Sequence, residues 1–101
     1  MYSFSFTIRR THPSLKGHFP GNPIVPGAVI LDKVISGMLS KDPTINIISI
    51  PSVKFLKFIR PQEKILVTLS RHKSDVIQFT CSNNDSINVS GRIIVDPTGE
   101  I

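Results

Sequence analysis

The sequence predicts an α+β domain in which a curved antiparallel sheet wraps one central helix. Three observations carry this prediction. A run from Ala28 to about Ser40 is apolar round most of its circumference (Ala28, Ile30, Leu31, Val34, Ile35, Met38, Leu39), and a helix that apolar must be enclosed. Ahead of it, Tyr2, Phe4, Phe6 and Ile8 alternate with Ser3, Ser5, Thr7 and Arg9, the pattern of a strand with one buried face. Behind it come four or five strand-like runs with turn signals between them and no second helix, so the elements form a helix layer against a sheet layer.

Each element has its own reason. Between the first strand and the helix, prolines at 20, 23 and 26 fix φ, remove amide donors and push Phe19, Asn22 and Val25 out of helical geometry. This loop cannot be helix and makes a poor strand, yet Phe19, Ile24 and Val25 ask to be buried. Lys41-Asp42-Pro43 ends the helix. Ile45 to Ile50 is a short β-rich run broken by Pro51, and Val53, Phe55 and Phe58 mark a separate strand after it. Arg60-Pro61-Gln62-Glu63 reads as a turn, Ile65 to Ser70 and Val76 to Ser82 as strands, and Asn83-Asn84-Asp85 as a second turn before Ile87 to Val95. Pro97 to Ile101 is expected to be a loose tail.

Composition narrows the function classes. With 101 residues the chain is one domain, 1–101, near the small end of what buries an adequate core alone. One cysteine, Cys81, excludes an intramolecular disulfide framework and reads as a buried thiol. The N-terminus alternates and does not form the apolar block of a signal peptide, and no run reaches the ~20 apolar residues of a membrane span, so a cytoplasmic protein is expected. Three scattered histidines and one cysteine leave no metal-binding spacing. Gly17, Gly21 and Gly27 do not fit a dinucleotide loop, and no Gly-x-Ser-x-Gly elbow occurs. The net charge of +5 comes without an arginine-rich tract or exposed aromatic pattern, so it favours an acidic protein partner over nucleic acid.

The chemistry concentrates where loop meets helix. The first amides of a helix have no partner inside it, so the N–H groups of Gly27 and Ala28, just after Pro26, are expected to bind an oxygen with help from the helix dipole. Gly27 adds no side chain to block the approach. At ~100° per residue, Asp32 falls beside Ala28, Ser36 and Leu39, where the apolar surface meets a polar edge of Lys33, Ser36, Gly37 and Ser40. A carboxylate enclosed there would have a raised pKa, which is what a general acid at neutral pH needs. His18, in the stiff apolar loop beside Phe19, stands where the wall of a site is expected. Taken singly, His18 could be a packed loop histidine and Asp32 a paired helix carboxylate; an unpaired buried charge, however, is costly.

His18-Phe19-Pro20-Gly21, then Pro23, Pro26-Gly27 and an acid fourteen positions after the histidine, resemble the hot-dog-fold β-hydroxyacyl-acyl carrier protein dehydratases. Val53-Lys54-Phe55 through Arg60-Pro61 match the family's second half more loosely, so the resemblance spans roughly residues 10 to 95. The acid is Asp, as in the dehydratase/isomerase branch, where plain dehydratases have Glu. Ser36 stands where the family often has Gln, and the family's members are usually longer.

The resemblance implies a hot-dog fold and a defined reaction without a cofactor. Amides at Gly27 and Ala28 would polarise the carbonyl of a 3-hydroxyacyl thioester on acyl carrier protein. His18 would take the α-proton, and Asp32 would protonate the leaving hydroxyl, giving a trans-2-enoyl thioester. Phe19, Pro26 and Ser36 would line the acyl site. Arg9, Arg10, Lys16, Lys54, Lys57 and Arg60 would dock the acidic carrier, although each alone reads equally as a solvated charge. The family's histidine and acid come from different subunits, which implies a homodimer or a heterodimer with a homologous dehydratase. A hot-dog acyl thioesterase and a non-catalytic acyl-binding partner subunit are the alternative readings. Fatty-acid, polyketide and aryl-polyene synthesis all use this step, and isomerase activity stays open. His12, before Pro13, reads as a packing or capping residue and His72 as an exposed turn residue.

Overall fold

The structure, a computed structural model, describes residues 1–15 and 23–96, without the side chain of Ser14. Strand β1 (Tyr2–Phe6) is followed by a 3-10 turn at Pro13–Leu15, helix α1 (Gly27–Lys41), and strands β2 (Ile47–Phe55), β3 (Ile65–Lys73), β4 (Val76–Asn83) and β5 (Ser86–Val95). All strand pairs are antiparallel and the sheet order is β1-β3-β4-β5-β2, so β1 and β2 are the two edges. The expected tail, Pro97 to Ile101, lies outside the described residues.

Side chains that alternate along a strand fall on opposite faces. Ile65, Val67 and Leu69 of β3, Ile77, Phe79 and Cys81 of β4, and Val89, Ile93 and Val95 of β5 share the inner face, each at most 1% exposed. Ile30, Val34 and Met38, one helical turn apart, bury the matching stripe of α1 in the same cluster. The opposite stripe, Ala28, Asp32, Ser36 and Ser40, is exposed. The helix is therefore seated on the sheet, as its apolar content predicted, and among the described residues of a single chain this second stripe is left exposed.

Its ends are where the sequence placed them. Asp42 closes the last turn: its N–H donates to the Met38 carbonyl at 3.0 Å, and its Oδ1 accepts from the Thr44 N–H at 3.0 Å and from the Thr44 hydroxyl at 2.5 Å. Two glycines fit α1 between the sheet edges. A Cβ on Gly37 would lie 2.1 Å from the ring of Phe4 in β1, and one on Gly27 would lie 2.8 Å from the ring of Phe55 in β2. At the β1 side the Lys41 ammonium also stands 5.4 Å from the Tyr2 ring centroid, a cation–π contact.

Four expectations about strands need correction. Pro51 does not separate two strands but sits inside β2, where register shifts fall between Ile47 and Ser49 and between Ser49 and Ser52. Proline is tolerated there because an edge strand has one side with no ladder to supply. The shifts also explain why Ile47, Ile50 and Val53 turn inward at every third residue. Phe58 lies beyond this strand, which stops at Phe55. The alternation of the first strand outlasts its pairing: β1 stops at Phe6, while buried Ile8 accepts the Gln62 N–H at its carbonyl (2.7 Å). β3 runs on to Lys73, so His72 is an exposed strand residue, not part of a turn. Both predicted turns form, with left-handed φ at Gln62 (68°) and Asn84 (56°), the latter a residue type that tolerates it.

Candidate active site

At the start of α1 the chain leaves Pro26 in extended geometry (φ −61°, ψ 147°), and among the described residues no side chain caps the helix. Backbone bonding there begins with Val29 N–H and Ile30 N–H donating to the Pro26 carbonyl, at 3.0 and 3.3 Å. The Gly27 and Ala28 amides thus precede the first bonded turn, as a helix start requires. Beside them opens a groove of about 520 Å³. Its floor is Val25, Ile30 and Ile59, all 3% exposed or less. Its rim is Phe55, Leu56 and Phe58, exposed by 55%, 57% and 67%. Val25 N–H donates to the Ile59 carbonyl at 2.8 Å, which ties the proline-rich approach to the far wall. Such a surface, apolar and set against the positive end of a helix, suits a greasy chain with a polarisable carbonyl at its head.

The loop that forms the rim is held from behind. Leu56 N–H and Lys57 N–H both donate to the Asn88 carbonyl (2.8 and 3.1 Å), and Asn88 Nδ2 donates to the Phe58 carbonyl at 3.2 Å. Asn88 is 4% exposed, and among the described residues its Oδ1 has no hydrogen-bond partner. Nothing in the sequence marked Asn88; it reads as one more polar residue after a turn.

Of the residues predicted for the site, Pro26 and Gly27 line the groove, and Ala28 follows on the exposed stripe. Asp32 and Ser36 share that stripe, each one turn further on. The enclosure expected around Asp32 is absent among the described residues of one chain: the carboxylate is exposed. His18, Phe19 and Lys16 lie outside the described residues. The other docking candidates divide between separate places. Lys57 borders both the groove and a neighbouring hollow of about 460 Å³ that also includes Arg60, Glu63 and Asn88. Lys54 lies with Arg92, Gln78 and Thr80 in a hollow on the sheet. Arg9 shares a third hollow with His12 and Lys33, and Arg10 Nε donates to Gln62 Oε1 at 2.5 Å. The sequence reading missed Arg92, whose strand pairing opposite Ser52 and Gln78 brings it to Lys54, and Phe55, whose place on Gly27 depends on how two elements meet.

Cys81 is buried, and desolvation pushes its thiol from 9.0 up to about 12; it is a core residue, far from a reactive thiolate. Among the described residues no three His, Cys, Asp or Glu side chains gather as a metal cluster, and no helix is long and apolar enough to cross a membrane.

The five-stranded antiparallel sheet packed on a single helix defines a hot-dog-fold protein, with an apolar groove at the start of that helix. The ApeI-like family, described as ApeI dehydratase, matches residues 1–92, and the chain belongs to that family. The 3-hydroxyacyl-(acyl-carrier-protein) dehydratase FabZ of Bartonella bacilliformis is 34% identical over 80 residues, covering 68% of this chain and 52% of its own length. That of Lactobacillus helveticus is 28% identical over 101 residues, covering 85% of this chain and 68% of its own. The chain thus spans about half the length of the first of these relatives. In the dehydratase heterocomplex ApeI:P from Xenorhabdus doucetiae, a chain 24% identical superposes with a TM-score of 0.80, covering 93% of this chain and 85% of its own. That likeness shows the fold.

Proposed function

We propose that residues 1–101 act as one domain that removes water from 3-hydroxyacyl thioesters carried by acyl carrier protein, leaving trans-2-enoyl thioesters, in the cytoplasm. The observation that carries this reading is the apolar groove ending at the uncapped start of α1. A thioester whose chain lies in the groove brings its carbonyl oxygen to the Gly27 and Ala28 amides. Charge that develops on that oxygen as the α-proton leaves is stabilised there. His18 takes the proton, and Asp32 in its acid form delivers one to the departing β-hydroxyl. No electrons leave the substrate, so the step consumes no cofactor.

The exposure of Asp32 gives this reading its quaternary form. An acid facing away from its own core needs another surface to exclude water, and a second subunit supplies one. Edge strand β2 offers unpaired backbone on its outer side, with Ile48 60% exposed and Phe55 at its end beside the groove. We therefore assign a homodimer in which His18 of one protomer meets Asp32 of the other. The Xenorhabdus dehydratase is a heterocomplex, which supports a second form of the same idea, pairing with a homologous dehydratase. The Lys57–Arg60 side of the groove is the docking face for the acidic carrier.

Incubation with 3-hydroxyacyl carrier proteins of graded chain length, read by mass spectrometry, tests the assignment. Loss of water supports it. Release of free acyl chains with no dehydrated product identifies a thioesterase, and acyl binding without turnover identifies a non-catalytic partner subunit.

A further inference from the structure

We infer that Phe55 is the residue that sets which carbons next to the thioester the site accepts, screening branches beside the carbonyl and not chain length. The inference rests on the dehydratase reading for where the carbonyl sits, and on the geometry of one ring for the rest.

A Cβ built on Gly27 would stand 2.8 Å from Cζ, 3.0 Å from Cε1 and 3.5 Å from Cε2 of Phe55. The far edge of the ring therefore rests on the Gly27 backbone, in the space any other residue would fill. The Gly27 amide nitrogen is ~1.5 Å from that Cα, and an oxygen bound to it sits ~2.9 Å further on. The carbonyl carbon and the one or two carbons after it are then the part of the substrate nearest the ring. The distal chain runs on towards Ile30, Ile59 and Phe58.

Of the groove's rim side chains, it is the Phe55 ring that both rests on Gly27 and can yield. Asn88 clamps the backbone just after it with three hydrogen bonds, and Phe55 itself pairs with Val89 in the sheet. Its side chain, 55% exposed in a single chain, turns about two single bonds on that fixed base. The buried floor of Val25, Ile30 and Ile59 has no such freedom. Discrimination close to the carbonyl is thus assigned to a single side chain.

The test compares linear and α-methyl substrates. Wild type, Phe55→Ala and Phe55→Trp are assayed on 3-hydroxybutyryl and 2-methyl-3-hydroxybutyryl thioesters, and on 3-hydroxydodecanoyl thioester as the length control. Phe55→Ala is expected to raise kcat/KM for the α-methyl substrate relative to the linear one by about ten-fold, the low end for one carbon in an apolar site. Phe55→Trp should lower the same ratio, and the long-to-short ratio should stay within about two-fold for both. An unchanged branch ratio in Phe55→Ala, or a change confined to the length ratio, overturns the inference. Displacement of the fluorescent fatty acid cis-parinaric acid by butyryl and 2-methylbutyryl pantetheine thioesters gives the same ratio without turnover. If wild type dehydrates nothing, the dehydratase reading fails, and the displacement ratio still decides the role of Phe55.

Discussion

The ring of Phe55 and the backbone of Gly27 occupy each other's space: the glycine has no Cβ because the ring edge is where one would be, 2.8 Å away. An edge strand and the first residue of the helix are joined at the point where the groove meets the helix-start amides.

Gly27→Ala should therefore act through the ring. The new methyl pushes Phe55 towards the groove, and kcat/KM for 3-hydroxyacyl thioesters should fall by about ten-fold or more, as expected for sub-ångström to 1 Å shifts near a reacting group. Phe55→Ala in the same chain should recover most of that loss. A double-mutant cycle measures the coupling; additive effects would mean that the two residues act independently.

His18→Ala and Asp32→Asn should each lower hydration of crotonyl thioesters by at least about a hundred-fold, the usual contribution of a positioned acid or base. Asp32 is exposed on its own chain, so Asp32→Asn should leave the circular dichroism spectrum unchanged. Mixing and refolding the two inactive variants should restore part of the activity, because some heterodimers then hold one intact site. No recovery would count against a site shared between subunits.

Cys81 links stability to alkaline pH. Burial holds its thiol neutral in the folded chain, with its pKa raised from 9.0 to about 12. The unfolded chain releases this proton first. The stabilisation is complete below pH 9 and is lost between 9 and about 12, at up to ~1.4 kcal/mol per pH unit. Urea melts of wild type and Cys81→Ala at pH 8, 9.5 and 10.5 check this: the gap between the two should narrow with pH. The thiol should also resist iodoacetamide at pH 8 until the protein unfolds.

Gly37→Val should destabilise the fold by about 2 kcal/mol, within the range for overpacking a filled site, because its Cβ would fall 2.1 Å from the Phe4 ring. Phe4→Ala, added to Gly37→Val, should remove the clash and leave only the loss of the ring. Denaturant titration of Gly37→Val, Phe4→Ala and the double variant separates the two terms.

Much of this architecture is legible in the chain. Pro26-Gly27 and Asp42-Pro43 mark the helix ends because prolines and an Asx turn act locally. The Asn84-Asp85 hairpin is equally local. Pro51 misled because its effect depends on whether the strand is central or at an edge, which only the assembled sheet decides. The exposure of Asp32 was hidden for a related reason. Ala28, Asp32, Ser36 and Ser40 fall on one stripe at helical spacing, but periodicity does not tell which stripe meets the sheet when most positions around are apolar. Phe55 and Asn88 are beyond sequence reading altogether, since each matters through a residue at least 28 positions away, Gly27 in one case and Phe58 with its neighbours in the other.

Phe4 and Phe55 reach α1 from opposite margins of the sheet, each bearing on a glycine, ten residues apart. The helix is braced like a beam on two pegs. Slack at the Phe4 peg would let the beam pivot and carry its other end out of line with the groove, so damage at the margin far from the chemistry would be felt as poor catalysis before it was felt as unfolding.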